Sequence, residues 1–279
     1  MKFSTLFILQ ILFFILVTGC AKLETAYNFA PRLSANFLDK YFDFSSERYD
    51  KVKEALEKDF KDNKDLFKVS LAKRLDTLQE LSGKKELSTE KVDELMKDYR
   101  TLQTEVVERF KPSLNEIITK MTADELKHIK KESEETFDKN FENLSDKDKF
   151  IKKQLKSFEK NMDWLFDSVT DEQIKIYTEF LEQNFGYYKD QLEFRKSYLA
   201  KLESLFDKKD QMMEAAVKYY SGDDSVKPKE FLVKHNVFLK NLNILFQKLW
   251  VSLTDKQREE YKKTLAELRK EIDELKPAK

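Results

Sequence analysis

One local pattern recurs along this chain and constrains what it can fold into: an apolar residue, then Ser or Thr, then, three residues on, a side chain able to reach back. Val169-Thr170-Asp171-Glu172-Gln173-Ile174 has every part. The Thr170 hydroxyl can accept from the free amides of a first helical turn, Gln173 can return a bond to the cap amide, and Val169 can staple against Ile174. Met121-Thr122-Ala123-Asp124-Glu125-Leu126 repeats all three parts. Leu253-Thr254-Asp255-Lys256-Gln257 keeps the box but has Arg258 where the staple residue would stand. Phe44-Ser45 with Tyr49 and Leu87-Ser88 with Val92 keep only the staple, and Leu144-Ser145 is the faintest copy. These starts predict helices over 46–82, 89–120, 123–143, 146–168, 171–220, 228–251 and 255–275.

Little between the starts would break such helices. Only four Gly and four Pro occur in 279 residues, while charged residues reach 37% against about 25% in average proteins. The 23 Phe, 11 Tyr and 2 Trp supply apolar bulk, which argues against a disordered tether. The expected fold is all-α, an elongated bundle of long antiparallel helices. It forms one domain over 20–279, or two closely packed halves, 20–168 and 169–279. Ser82-Gly83 and Ser221-Gly222-Asp223-Asp224 mark breaks. Pro112 is expected to kink the 89–120 helix, and Pro228 suits a first turn.

Two helices carry apolar seams at alternating spacings of three and four. One holds Phe231, Phe238, Leu242, Leu245 and Leu249, with His235 in the gap. The other holds Ile174, Tyr177, Leu181, Phe185, Tyr188, Leu192, Leu199 and Leu202, with Arg195 in the gap. An unbroken helix over 171–206 would span about 54 Å unless Gly186 or Asp207 to Asp210 bends it.

The amino terminus sets the cellular address. Lys2 is followed by Leu6 to Val17, apolar except for Gln10, and then Thr18-Gly19. That is the layout of an export signal over 1–19, and a run of roughly 12 apolar residues falls short of the ~20 needed for a membrane-spanning helix. Val17-Thr18-Gly19-Cys20 resembles the bacterial lipobox, which implies diacylglycerol on the Cys20 thiol, cleavage just before it, and a fatty-acylated mature end. Ala21, rather than Asp, follows the cysteine, and by the same resemblance the outer membrane is favoured, with the body on its periplasmic face. Cys20 is the only cysteine, so once it carries lipid no disulfide can form. No Ser- or Gly-rich spacer follows, and the cluster from Tyr27 and Phe29 to Phe37, Tyr41, Phe42 and Phe44 is expected to dock into the helical core rather than the membrane interface.

The chemistry-bearing motifs are few. Lys plus Arg equal Asp plus Glu at 52 each, interspersed along the chain, so nothing favours nucleic acid or an anionic surface as a partner. His128 and His235 lie in no metal-ligand spacing, so no metal site is expected. Phosphate loops and a nucleophile elbow are absent. No catalytic residue stands out, and no cofactor is implied beyond the lipid on Cys20. Arg195 and His235 remain as candidate binding residues. For Arg195 the structural alternative is an ion pair with a carboxylate; for His235 it is a seam histidine with one satisfied hydrogen bond.

The order lipobox, Ala26-Tyr27-Asn28, Asp39-Lys40-Tyr41-Phe42-Asp43, Trp164-Leu165 ahead of Val169-Thr170-Asp171-Glu172-Gln173, Arg195, and Leu253-Thr254-Asp255-Lys256-Gln257 is similar to a proteobacterial lipoprotein family known only as a domain of unknown function. The chain departs from that pattern at Ser168 and Val169, where the family has Leu and Gly, and in its Lys and Phe content. The L-T-x-x-Q boxes also resemble those of periplasmic stress chaperones of the Spy and CpxP type. The first resemblance implies a helical envelope lipoprotein and supplies no activity, and the second adds binding of unfolded or envelope proteins. The anchor, the seams and the lack of a recognisable catalytic set lead to the expectation of a non-enzymatic binding, scaffold or chaperone-like role. The alternative is an envelope hydrolase using paired carboxylates. The oligomeric state is left open.

Overall fold

Each strong start signal begins a helix. The computed structural model describes residues 23–276, so the export signal over 1–19, the lipobox residues Val17, Thr18 and Gly19, and Cys20 lie outside the described residues. Among the described residues the fold is all-α, with eleven α-helices and no strand. They are α1 (Leu23–Phe42), α2 (Ser46–Ser82), α3 (Thr89–Arg109), α4 (Lys111–Thr119), α5 (Ala123–Ser145), α6 (Lys147–Phe166), α7 (Asp171–Gln183), α8 (Phe185–Ser204), α9 (Lys209–Tyr220), α10 (Lys229–Val251) and α11 (Asp255–Glu274). Ser45, Ser88, Thr122, Thr170 and Thr254 each accept from the backbone N–H three residues on, and at Thr122, Thr170 and Thr254 the reciprocal bond completes a capping box.

The departures from expectation have local causes. At the faintest signal, Asp146 rather than Ser145 caps α6, accepting from Lys149 N–H at 2.9 Å. Ser145 spends its hydroxyl on the Glu142 carbonyl, while Asp146 has the extended backbone a cap requires. The 89–120 helix is interrupted at Phe110, and Pro112 sits in the first turn of α4, where its missing donor is tolerated. The long 171–220 helix is three pieces. At Asn184 the side-chain amide donates to the Phe180 carbonyl at 2.7 Å and accepts from Asn241 of α10 at 2.9 Å. The second interruption, over 205–208, lies where the Asp207 to Asp210 stretch was expected to bend the chain.

α1 was not among the seven predicted helices, yet it forms through Pro31. Its aromatics divide between two faces. Tyr27 and Tyr41 are buried, as is Phe44 just beyond the helix, and the Tyr27 hydroxyl donates to the Phe60 carbonyl at 2.7 Å, whereas Phe29 is exposed together with the aliphatic Leu33.

α4 lacks a side-chain cap of its own and borrows both from α2. Asp59 accepts from Ser113 N–H at 2.9 Å at its start. Arg48 donates to the Glu116 and Ile117 carbonyls at 2.8 and 2.9 Å at its end. An acceptor at the amino end and a cation at the carboxyl end match the helix dipole, and this order makes α4 antiparallel to that stretch of α2.

Three apolar clusters form the core, each drawing on residues from both sides of 168. Beside the third, two boxes face each other about a local pseudo-twofold axis that relates Ser168-Val169-Thr170-Asp171-Glu172-Gln173 to Ser252-Leu253-Thr254-Asp255-Lys256-Gln257. Gln173 and Gln257 are fully buried and exchange two amide bonds of 3.0 Å. Each Nε2 also donates across the axis, Gln173 to the Ser252 carbonyl at 3.3 Å and Gln257 to that of Ser168 at 3.0 Å. Each Oε1 accepts from its own cap residue, Thr170 or Thr254, at 2.9 or 3.0 Å. Both amides are thereby saturated. Arg258, standing where a staple residue was missing, donates instead to the Lys84, Lys85 and Trp250 carbonyls.

Because truncating one glutamine orphans the other's groups, Gln173→Ala and Gln257→Ala should each cost roughly 2–4 kcal/mol of unfolding free energy. The double variant should cost less than the sum by about 1–2 kcal/mol. Urea unfolding of the three variants measures this.

Candidate ligand-binding cavity

Seven helices, α1 to α5 with α8 and α9, converge on a partly enclosed cavity of about 230 Å³. It exists because the break over 205–208 folds α9 back on α8. Tyr198 stacks on Tyr219 with ring centroids 4.6 Å apart, and its hydroxyl donates to the Ala215 carbonyl at 3.0 Å. Phe37, Phe60, Phe110, Ile118, Leu202 and Met212 are typical of a lining that is overwhelmingly apolar. At ~24 cal/mol per Å³, an unfilled space of this size costs about 5 kcal/mol, comparable to the whole stability of many domains. An engineered apolar cavity of ~150 Å³ already takes up benzene.

Among the described residues, the only charged side chains in the lining are Arg195 and Glu203. Arg195 projects from the middle of α8, in the seam slot noted from sequence. Burial pulls its basicity down, with the Tyr219 and Tyr187 hydroxyls acting in the opposite sense. The carboxylate expected as its partner is not there: among the described residues Arg195 makes no ion pair and no hydrogen bond. It is partly accessible rather than fully buried, and it lines the cavity. A guanidinium that is half-buried and without a carboxylate loses hydration that no protein partner replaces. Tyr219, beside it, also lines the cavity, and its phenol makes no hydrogen bond to another described residue. Glu203, two turns further along α8, lies 3.7 Å from Lys130.

His235 lies outside the lining, on α10. Its Nδ1 is 2.7 Å from the Tyr187 hydroxyl, and its ring is flanked by Phe231 and Tyr187. Burial lowers its pKa first, with Lys227 and Arg100 adding to the effect and Asp224 opposing it. Burial also raises the Tyr187 pKa, against the pull of Arg195. A protonated phenol thus shares a hydrogen bond with Nδ1 of a neutral ring. Tyr187 stands between the two candidate residues, bonded to His235 and in the field of Arg195, which do not bond to each other. His128 lies 3.8 Å from Asp43 and 4.0 Å from Glu132. Among the described residues no three His, Cys, Asp or Glu side chains come together as a metal-ligand set.

The cavity itself was not read from the sequence. Arg195 stood out as a charge in an apolar seam, but Tyr219 carried no signal, since its place depends on the fold-back of α9. No family model, curated protein or solved structure matches the chain.

The lowered pKa of His235 makes stability depend on pH. Below about 6.5, the ordinary imidazole value, the unfolded chain takes up this proton before the folded one does, so unfolding free energy falls with pH and levels off below the folded-state pKa. His235→Gln should flatten this slope between pH 7.5 and 5, as read by urea unfolding across that range.

Proposed function

We propose that this chain is a non-enzymatic binding protein of the cell envelope, held at the periplasmic face of the outer membrane by acyl chains on Cys20, with its ligand site in the central cavity. The apolar cavity, kept open in an otherwise packed core, carries this reading. Ligand sites are typically concave, apolar and equipped with a few placed polar groups, and Arg195 with Tyr219 supplies such groups here. The anchor rests on Val17-Thr18-Gly19-Cys20. Among the described residues no helix is long and apolar enough to cross a membrane; two or three acyl chains would give lasting hold where one does not.

The boxes that resemble those of stress chaperones are structural in this chain, because Gln173 and Gln257 are spent on each other. Protein partners in the envelope would instead meet exposed apolar residues such as Val233, Val237, Ile244 and Val251 along α10. Among the described residues the lining holds one carboxylate, Glu203, rather than the pair on which the hydrolase alternative would rest.

Two measurements test the reading. Cys20→Ala should leave an uncleaved precursor that takes up no labelled palmitate; labelling that persists would remove the anchor. A neutral, diazirine-bearing long-chain alcohol should photolabel peptides of α8 and α9 in the full chain. Ala216→Phe, which projects a ring into the cavity from α9, should abolish that labelling, and equal labelling of the variant would remove the cavity as the site.

A further inference from the structure

We propose that the ligand of the central cavity is a single-chain amphiphile with an anionic head, of the free fatty acid class, whose carboxylate is held by Arg195 while its acyl chain fills the apolar space. This rests on the cavity being a binding site and adds the chemistry of what it takes. Three features of the cavity wall define that chemistry.

The lining is mainly aliphatic and aromatic over seven helices, with a few polar side chains such as Ser133 and Thr136 among them, which suits a flexible hydrocarbon chain rather than a polar metabolite. Its one cation has no protein partner among the described residues, so the site presents an unneutralised positive charge to its contents. A neutral lipid would leave that charge unneutralised, and a cationic one would be repelled. A carboxylate matches the planar guanidinium with two parallel hydrogen bonds. The Tyr219 phenol, beside Arg195 and without a hydrogen bond to another described residue, is a third donor for the same head group.

The opposite charge in the wall does not compete for Arg195. Glu203 is eight residues along α8, about 12 Å by helical rise, and it is paired with Lys130. Between the two charges α8 presents Tyr198, Leu199 and Leu202 to the cavity, an apolar track for the chain beyond the head group.

The test uses the full chain in phosphatidylcholine nanodiscs, with a diazirine-bearing decanoic acid as the probe and mass spectrometry to locate the labelled peptides. Labelling is expected on α8 and α9. Decanoate should compete about tenfold better than decanol, the size of a lost charge-assisted hydrogen bond, and decyltrimethylammonium should not compete. Arg195→Gln should lower labelling by a similar factor, while Arg195→Lys, which keeps the charge, should retain most of it. The competitor series is read on the unmodified sequence, so it stands even if a variant fails to fold.

If decanol competes as well as decanoate, and Arg195→Gln labels as the unmodified chain does, the assignment of an anionic head to Arg195 falls while the cavity remains a binding site. If no peptide lining the cavity is labelled by acid or alcohol, whether or not residues 1–22 cross-link there instead, both assignments fall.

Discussion

The reciprocal amide pair of Gln173 and Gln257 is the constraint on which this bundle turns. Each glutamine closes its own helix cap, bonds its counterpart, and reaches a carbonyl of the other turn. A fully satisfied polar network in a core fixes register more sharply than apolar packing alone, since any slip leaves buried amides without partners. Here it locks the α6–α7 turn against the α10–α11 turn. Trp250, Tyr261 and Leu265 pack around the junction, and Arg258 ties it to the loop after α2.

The cavity between α1, α5, α8 and α9 follows the opposite rule. At the paired boxes every polar group has a partner and the packing is tight. In the cavity, space is left unfilled and a guanidinium is left without a carboxylate. Both are costly in isolation, and they occur in the same place. The borrowed caps of α4 supply part of the rigidity that holds the space open. Asp59 and Arg48 fix a short helix along the cavity wall that would be marginal by itself.

Much of the fold was legible because helix starts are written locally. A hydroxyl and a reaching side chain three residues apart need no tertiary information, and Ser45, Ser88, Thr122, Thr170 and Thr254 all cap as their spacing implied. Helix interruptions are less local. The break at Asn184 depends on Asn241, which lies on another helix and is invisible to periodicity. α1 escaped notice because Pro31 and a dense aromatic run mask a helical period that packing against α2 enforces. At the candidate site, Arg195 and His235 were visible as polar residues in apolar seams. What the seams could not convey is that one faces a neighbouring phenol and the other a space, since that depends on where α9 turns back.

On the proposed reading, the cavity and Arg195 belong to a protein that acyl chains on Cys20 would hold at a membrane and that would take up a further acyl chain. Native mass spectrometry of the full chain, released gently from envelope membranes, tests this most directly. The account predicts the lipidated polypeptide with one additional acidic acyl-chain molecule bound, lost when Arg195 is replaced by Gln. A spectrum showing only the lipidated polypeptide, unchanged by that replacement, would contradict it.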